Sequence, residues 1–262
     1  MDTNATNDKP SVSVICCYTS TDKLAYLADS LNAQNMPCER IFVDNSANRF
    51  SSAAAALNYG AQKATGELLL FCHQDIRFKD EAALADLVDA CTALNAGDVG
   101  GIAGAICVDG KKVTKTNITH SMQEIRYAEK DWFDSVFFEV DSVDECLIIL
   151  RKTTWQQYPF NEEICDGWHF YGVELCLRAR NNGHRALAFD ARINHISSEG
   201  TLDKSFFRAL YRLARAYRSQ YDVIVATTGC WSTKHPHANR AAWSFDGFLS
   251  KVFAVANKIL RR

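Results

Sequence analysis

The stretch Gly66–Asp80, GELLLFCHQDIRFKD, decides how the rest of the chain is read. Leu68 to Phe71 form an unbroken apolar run of the kind found in strands buried on both faces. The run ends in Cys72-His73-Gln74-Asp75, which delivers an imidazole and a carboxylate two residues apart. Side chains alternate along a strand, so His73 and Asp75 share a face. Ionisable groups at the carboxyl end of a buried strand suit an open α/β sheet, where ligands bind outside those ends.

Reading outward supports that sheet. Ser11–Tyr18 has the β-branched composition of a strand, and Thr21–Gln34 has helical spacing through Leu24, Leu27 and Leu31. A short strand, Arg40–Val43, closes on Asp44-Asn45-Ser46, and an alanine-rich helix, Ser51–Thr65, stops at Gly66. A helix is expected from about Asp80 to Asn95, then a strand over Val99–Val108. Strand character returns at Cys146–Leu150, a helix at Gly172–Asn182 and a strand at Ala186–Phe189 that leads to Asn194-His195. Strands alternating with helices at this pitch imply a parallel α/β sheet with helices on both faces.

Composition bounds the class. The 262 residues are 47% hydrophobic, enough for a real core, and 13 Gly with 4 Pro leave little room for long disordered tracts. Ten cysteines occur without a CxxC pair, several within apolar runs, where cysteine behaves as a small hydrophobe. The first ten residues are polar and lack a basic, then apolar, leader. No stretch approaches the roughly 20 apolar residues that span a bilayer. These features predict a protein of a reducing cytoplasm. The net charge of −2 conceals a division, for residues 203–262 hold eleven Lys/Arg against three Asp/Glu. The expected organisation is a polar leader over 1–10, an α/β domain over 11–202 and a basic amphipathic helical extension over 203–262.

Three strand ends carry polar groups: Tyr18-Thr19-Ser20, Asp44-Asn45-Ser46 and His73-Gln74-Asp75. Convergence at one crevice accounts for all three. No GxGxxG follows the first strand and no GxxxxGK[ST] exists, so neither a dinucleotide nor a Walker-type phosphate cradle is expected. A diphosphate without a glycine cradle needs another counter-charge, which a divalent metal on Asp75 supplies.

Together SVSVICCYTSTDKLAYLADSLNAQ, IFVDNS, ALNYGAQKATGELLLFCHQD and HFYGVELCLRARNNGHRALAFDARINHISSEG resemble the GT-A glycosyltransferases of the family-2 type over roughly residues 11–200. In that family an Asp-x-Asp signature ends the third strand, and its last carboxylate helps hold Mg²⁺ or Mn²⁺ against a sugar-nucleotide diphosphate. His73-Gln74-Asp75 stands in its place, as in a similar bacterial branch. The resemblance implies a donor site of Tyr18, Asp44, Asn45, Asn58, His73, Gln74 and Asp75, with Asp44 toward the nucleotide base. It also implies that His195 joins Asp75 at the metal. His73 either ligates that metal or hydrogen-bonds the donor.

Members of the family carry a Glu-Asp pair that falls here on Tyr171-Gly172, so the general base is expected at Glu174 or Asp166. Asp144-Glu145 precede a strand and are either solvated or, as the resemblance implies, part of an acceptor-side segment, and Trp168, His169 and Tyr171 are either core aromatics or a sugar-stacking wall. Each has a plainer alternative: Asp75 as a helix cap, His195 as a structural imidazole, Glu174 as a charge favourable to a helix start. The implied activity is inverting, metal-dependent transfer of a sugar, most simply from a UDP-sugar, to a hydroxyl of a glycan or lipid-linked acceptor in cell-surface polysaccharide synthesis. A nucleotide-binding relic of the same fold, or a sugar nucleotidyltransferase, are the rival readings.

In the basic extension, Phe206, Phe207, Leu210, Leu213, Ala214 and Tyr217 repeat at helical spacing, and Phe245 to Leu260 do likewise. These stripes either pack on the domain or dock on anionic lipid, where basic amphipathic helices are favoured. The second stripe favours a cytoplasmic protein peripheral on the inner membrane face. Nucleic acid is not an expected partner, because the larger part of the chain is acidic.

Overall fold

The computed structural model describes residues 9–124, 136–197 and 202–241. The first part of the chain follows its apolar pattern: β1 (Val12–Tyr18), α1 (Thr21–Asn32), β2 (Glu39–Asp44), α2 (Ala53–Ala61), β3 (Leu68–Cys72), β4 (Ile76–Phe78) and α3 (Ala83–Ala90). Ser20 and Ser52 start α1 and α2 by accepting the backbone N–H of Lys23 and Ala55. The middle is strand-rich: β5 (Val99–Gly101), β6 (Ala103–Val108), β7 (Lys111–Thr116), β8 (Thr119–His120), β9 (Phe137–Val140), β10 (Ser142–Val143) and β11 (Leu147–Arg151). Then follow α4 (Lys152–Gln157), α5 (Tyr171–Asn181), β12 (Ala186–Phe189), β13 (Ile193–His195), α6 (Lys204–Tyr217), β14 (Val223–Ala226) and β15 (Gly229–Ser232).

The central sheet has the order β2-β1-β3-β11-β5-β12-β9. Five of its strands run one way; β11 and β9 run the other. The expected α/β architecture is therefore present, with two reversed strands that apolar composition does not mark. The single strand expected over Val99–Val108 is two, because the chain leaves the central sheet after Gly101 and joins β7 and β10 in a smaller one.

Alternation along β1 and β3 builds two cores. Val14, Cys16, Leu68 and Leu70 pack with Leu27, Leu31 and Leu84 on one face. Ile15, Leu69 and Phe71 pack with Ala54, Leu57 and Leu175 on the other. The alanine-rich α2 lies close on the sheet. A Cβ at Gly60 would stand 2.6 Å from Ile15 Cγ2, so this helix–sheet spacing requires glycine there.

The stripe of α6 is core. Phe206, Leu210, Leu213, Ala214 and Tyr217 are buried against α5 residues Val173 and Leu177 and against Trp231. Of the two alternatives for this first stripe, packing is the one realised, and docking on lipid is excluded for it. Residues 203–241 also hold a two-stranded ribbon, β14–β15, tied to the domain by Ser142 Oγ donating to Val225 O at 2.6 Å. The second stripe, Phe245 to Leu260, lies outside the described residues.

Candidate active site

Because β2, β1 and β3 are adjacent and parallel, their carboxyl ends lie side by side, with Tyr18 in register with Asp44 and Cys16 with Cys72. A cleft of about 360 Å³ opens there, lined by Thr19, His73, Gln74, Asp75, Trp168 and Tyr171 among others. Asp44 and Trp168 are exposed at this end of the molecule.

After Asp75 the chain turns into β4, which pairs antiparallel with β13 and sets His195 opposite Ile76. That pairing brings His195 Nε2 to 3.3 Å from Asp75 Oδ1 and 3.5 Å from His73 Nδ1. Ligand atoms of His73, Asp75 and His195 all lie within 4.8 Å of one another. The Asp75 carboxylate is buried and also accepts the Ser197 hydroxyl, with Lys23 Nζ at 4.0 Å. Burial works against its ionisation, but the bonds from His195 and Ser197 outweigh it and hold its pKa far below the usual carboxylate range. Burial and the neighbouring His195 lower the pKa of His73, which keeps it neutral, the form that ligates. Two imidazole nitrogens and one carboxylate oxygen fit a divalent transition ion such as Mn²⁺ better than Mg²⁺, which prefers oxygen. His120 joins the cluster, its ring centroid 5.7 Å from that of His195.

Several expected donor-site residues brace loops, Gln74 while it also lines the cleft. Gln74 Oε1 accepts the N–H groups of Thr19 and Ser20, each at 3.0 Å, and so fixes the turn between β1 and α1. Asn45 is buried and bonds both backbone groups of Phe50. Asn58 is engaged throughout: it donates to Phe160 O and Glu162 and accepts from Phe160 N and Trp155. Asp44 accepts Ser46 N–H at 2.8 Å, an interaction that lowers its pKa.

The two expected bases are held elsewhere. Glu174 is completely buried, accepting Tyr217 OH at 2.7 Å, Arg178 Nη2 at 3.1 Å and Asn161 Nδ2 at 3.3 Å. That carboxylate anchors α6 to α5, and the expectation of a proton acceptor there is corrected on this ground. Asp166 pairs with Arg212 of α6 and is not among the residues lining the cleft. Asp144 accepts Cys146 N–H at 2.9 Å and the Thr227 hydroxyl at 2.5 Å. His169 turns toward α6, 3.3 Å from Ser205 Oγ.

Local reading gave no role to Lys23 or Ser197, and it left Glu145 in the acceptor-side segment without a role of its own. Lys23 sits in the first turn of α1 and Ser197 follows β13; neither stands out in sequence. Glu145, beside Asp144, reaches the amino end of α5, where its Oε1 accepts Gly172 N–H at 3.2 Å.

The open α/β sheet, with its parallel strand ends converging on one cleft, is a GT-A fold. The family model described as "Glycosyltransferase like family" matches residues 13–196, and the chain belongs to that family. GalNAc-T7, solved with UDP, GalNAc and Mn²⁺, superposes with a TM-score of 0.55 at 10% identity, covering 78% of this chain and 48% of that one. TarS 1–349 of S. aureus, solved with UDP-GlcNAc, gives 0.51 at 17% identity, covering 78% and 65%. At such identities the likeness is one of fold. A curated relative, "ATP synthase subunits region ORF 6" of Fuscovulum blasticum, is 30% identical over 166 residues; the match spans 60% of this chain and 61% of that relative. The family match spans residues 13–196, and the fold agrees with it.

Proposed function

We propose that the chain transfers a sugar from a nucleotide-diphosphate donor, a UDP-sugar in the first instance, to a hydroxyl of a glycan or lipid-linked acceptor, with inversion, in cell-surface polysaccharide synthesis. The observation that carries this reading is the His73, Asp75 and His195 cluster at the cleft where the parallel strands end. A divalent cation held by these three, when bound, supplies the counter-charge for a diphosphate that no glycine cradle receives. Lys23 adds a positive group beside the same carboxylate. Gln74 keeps the Thr19-Ser20 turn in place, Asp44 in this reading meets the base, and the exposed Trp168 offers a face for a sugar ring.

Titration calorimetry with UDP and GDP, with and without Mn²⁺, tests this reading. Binding of one nucleotide that strengthens about tenfold or more with Mn²⁺ is expected. A chain that binds neither nucleotide under either condition is not this enzyme. A second reading, a nucleotide-binding protein without turnover, is favoured by one observation: Gly172 has no side chain, and Glu174 and Asp166 are engaged with α6. Nucleotide release from a panel of nucleotide sugars separates the two.

Among the described residues no helix is long and apolar enough to cross a membrane. The charge surplus of residues 203–262 supports a peripheral, cytoplasmic-face location for a lipid-linked acceptor. The full chain is expected to sediment with anionic liposomes at low salt and to be released at high salt. Truncation after Ser244 should abolish sedimentation and leave nucleotide binding unchanged. Failure of the full chain to sediment at low salt removes the membrane from the proposal.

A further inference from the structure

Sugar transfer to a hydroxyl requires a proton acceptor beside the acceptor oxygen, and the expected carboxylates are used for other purposes. Asp75 belongs to the metal cluster, Glu174 is sealed beneath α6, Asp166 pairs with Arg212, and Asp144 is bound by Cys146 N–H and Thr227. Among the described residues, Glu145 is a further carboxylate close to the cleft. Glu145 approaches the amino end of α5 from the turn before β11, and part of its surface stays open to solvent. Its backbone carbonyl lies 3.3 Å from Tyr171 OH, which lines the cleft and is 3.4 Å from His73 Nε2.

Gly172 and Glu145 share one space. A Cβ at position 172 would lie 3.1 Å from Glu145 Cγ and 2.8 Å from Ile148 Cδ1. A side chain at 172 therefore crowds the side chain of Glu145, and the bare glycine lets Glu145 occupy the place. The backbone is arranged around this carboxylate. Phe170 adopts the left-handed conformation (φ 68°), a costly choice for an aromatic residue, and the N–H of Gly172 donates to Glu145 at 3.2 Å.

We infer that Glu145, entering from the opposite strand, is the general base that this chain uses in place of a carboxylate at Gly172. The inference rests on the glycosyltransferase reading above. In the step, the acceptor oxygen forms a bond to the anomeric carbon as the bond from that carbon to the diphosphate oxygen breaks. The electron pair of the broken bond leaves with the nucleoside diphosphate, and the hydroxyl proton passes to a Glu145 carboxylate oxygen. Glu145 is suited to it chemically: burial, then the charge of Asp144, pushes its pKa up to about 8 against the Gly172 N–H bond, which favours ionisation. The other titratable groups facing it are Cys146, Cys165, Tyr171 and Cys176, all neutral because burial raises their pKa values. A base titrating near the working pH is an effective proton acceptor.

The test uses the full chain with UDP and GDP and the nucleotide-sugar panel. Glu145→Gln keeps the size and the acceptor oxygen for the Gly172 N–H. It should leave Mn²⁺-dependent nucleotide binding within about twofold while turnover falls about 10²–10⁴-fold. Wild-type kcat should rise with pH toward about 8 as Glu145 loses its proton, and the residual rate of the variant should not. The fold favours the neutral form of Glu145, so this contribution to stability is present below the unfolded pKa and lost as pH rises toward about 8. The permanently neutral Gln variant should therefore gain melting temperature relative to wild type over that range. Gly172→Asp alone should impair turnover by crowding Glu145, whereas Glu145→Gly with Gly172→Asp should restore it to within about tenfold of wild type. Glu145→Gln retaining turnover within about threefold overturns the inference and leaves the glycosyltransferase reading standing. A wild-type chain that binds neither nucleotide overturns the reading itself, and one that binds a nucleotide but releases none from the panel overturns the base together with turnover, leaving the nucleotide-binding reading. Should Glu145→Gln not fold, a wild-type kcat that is flat between about pH 6 and 9 overturns the base.

Discussion

Replacement of Asp75 by Asn should abolish metal-dependent nucleotide binding, with an affinity loss of at least about 100-fold, or about 2.7 kcal/mol. The substitution preserves shape but removes the one charge in a cluster whose other members, His73 and His195, are imidazoles. A neutral amide is a poor ligand for a divalent ion, and a diphosphate without that ion faces an uncompensated charge. The Lys23 ammonium at 4.0 Å cannot substitute alone, since it is half-exposed and screened. Calorimetry with UDP or GDP in the presence of Mn²⁺ measures the effect, with thermal unfolding as the control. Asn still accepts from Ser197, so the melting temperature should move far less than the affinity. Unchanged Mn²⁺-dependent affinity in a folded Asp75→Asn variant would take Asp75 out of the site.

Glu174→Ala should be the most destabilising single substitution among the candidate residues, costing about 3–5 kcal/mol. The change strands Arg178, which is about three-quarters buried, and leaves Tyr217 OH without its 2.7 Å acceptor. The amino end of α5 and the whole of α6 share that anchor, so both should loosen together. Glu174→Gln keeps the acceptor for Tyr217 and loses only the charge, and should cost less. Denaturant unfolding of the two variants gives the comparison, and nucleotide release by the folded Gln variant should stay near wild type. If Glu174→Gln instead cut turnover about 100-fold at unchanged stability, the buried anchor would have to be read as a proton acceptor.

Much of this site was legible along the chain. The apolar run from Leu68 to Phe71 marks a strand buried on both faces, and strand-end position singles out His73 and Asp75, because a two-residue period places them on one face. Strands β1 and β2 were equally plain, since β-branched and apolar residues fill them and polar turns end them. What local pattern could not carry is direction and partnership. Nothing in Leu147–Arg151 states that it enters the sheet antiparallel to β3, and that reversal delivers Glu145 to the start of α5.

Glu174 shows the same division. Its place in the first turn of a helix suits a catalytic carboxylate as well as a dipole-stabilising one. The decision between a solvated base and a buried anchor was made by α6, whose Tyr217 lies 43 residues further along and closes over it. Glycine at 172 likewise records in sequence only a missing side chain. That the vacated space is filled by Glu145, 27 residues earlier, depends on the packing of β11 against α5. Strand, helix and metal-ligating residue types follow from local composition and periodicity, which act over a few residues. Which carboxylate is exposed to an acceptor follows from desolvation, and desolvation is set by elements distant in the chain.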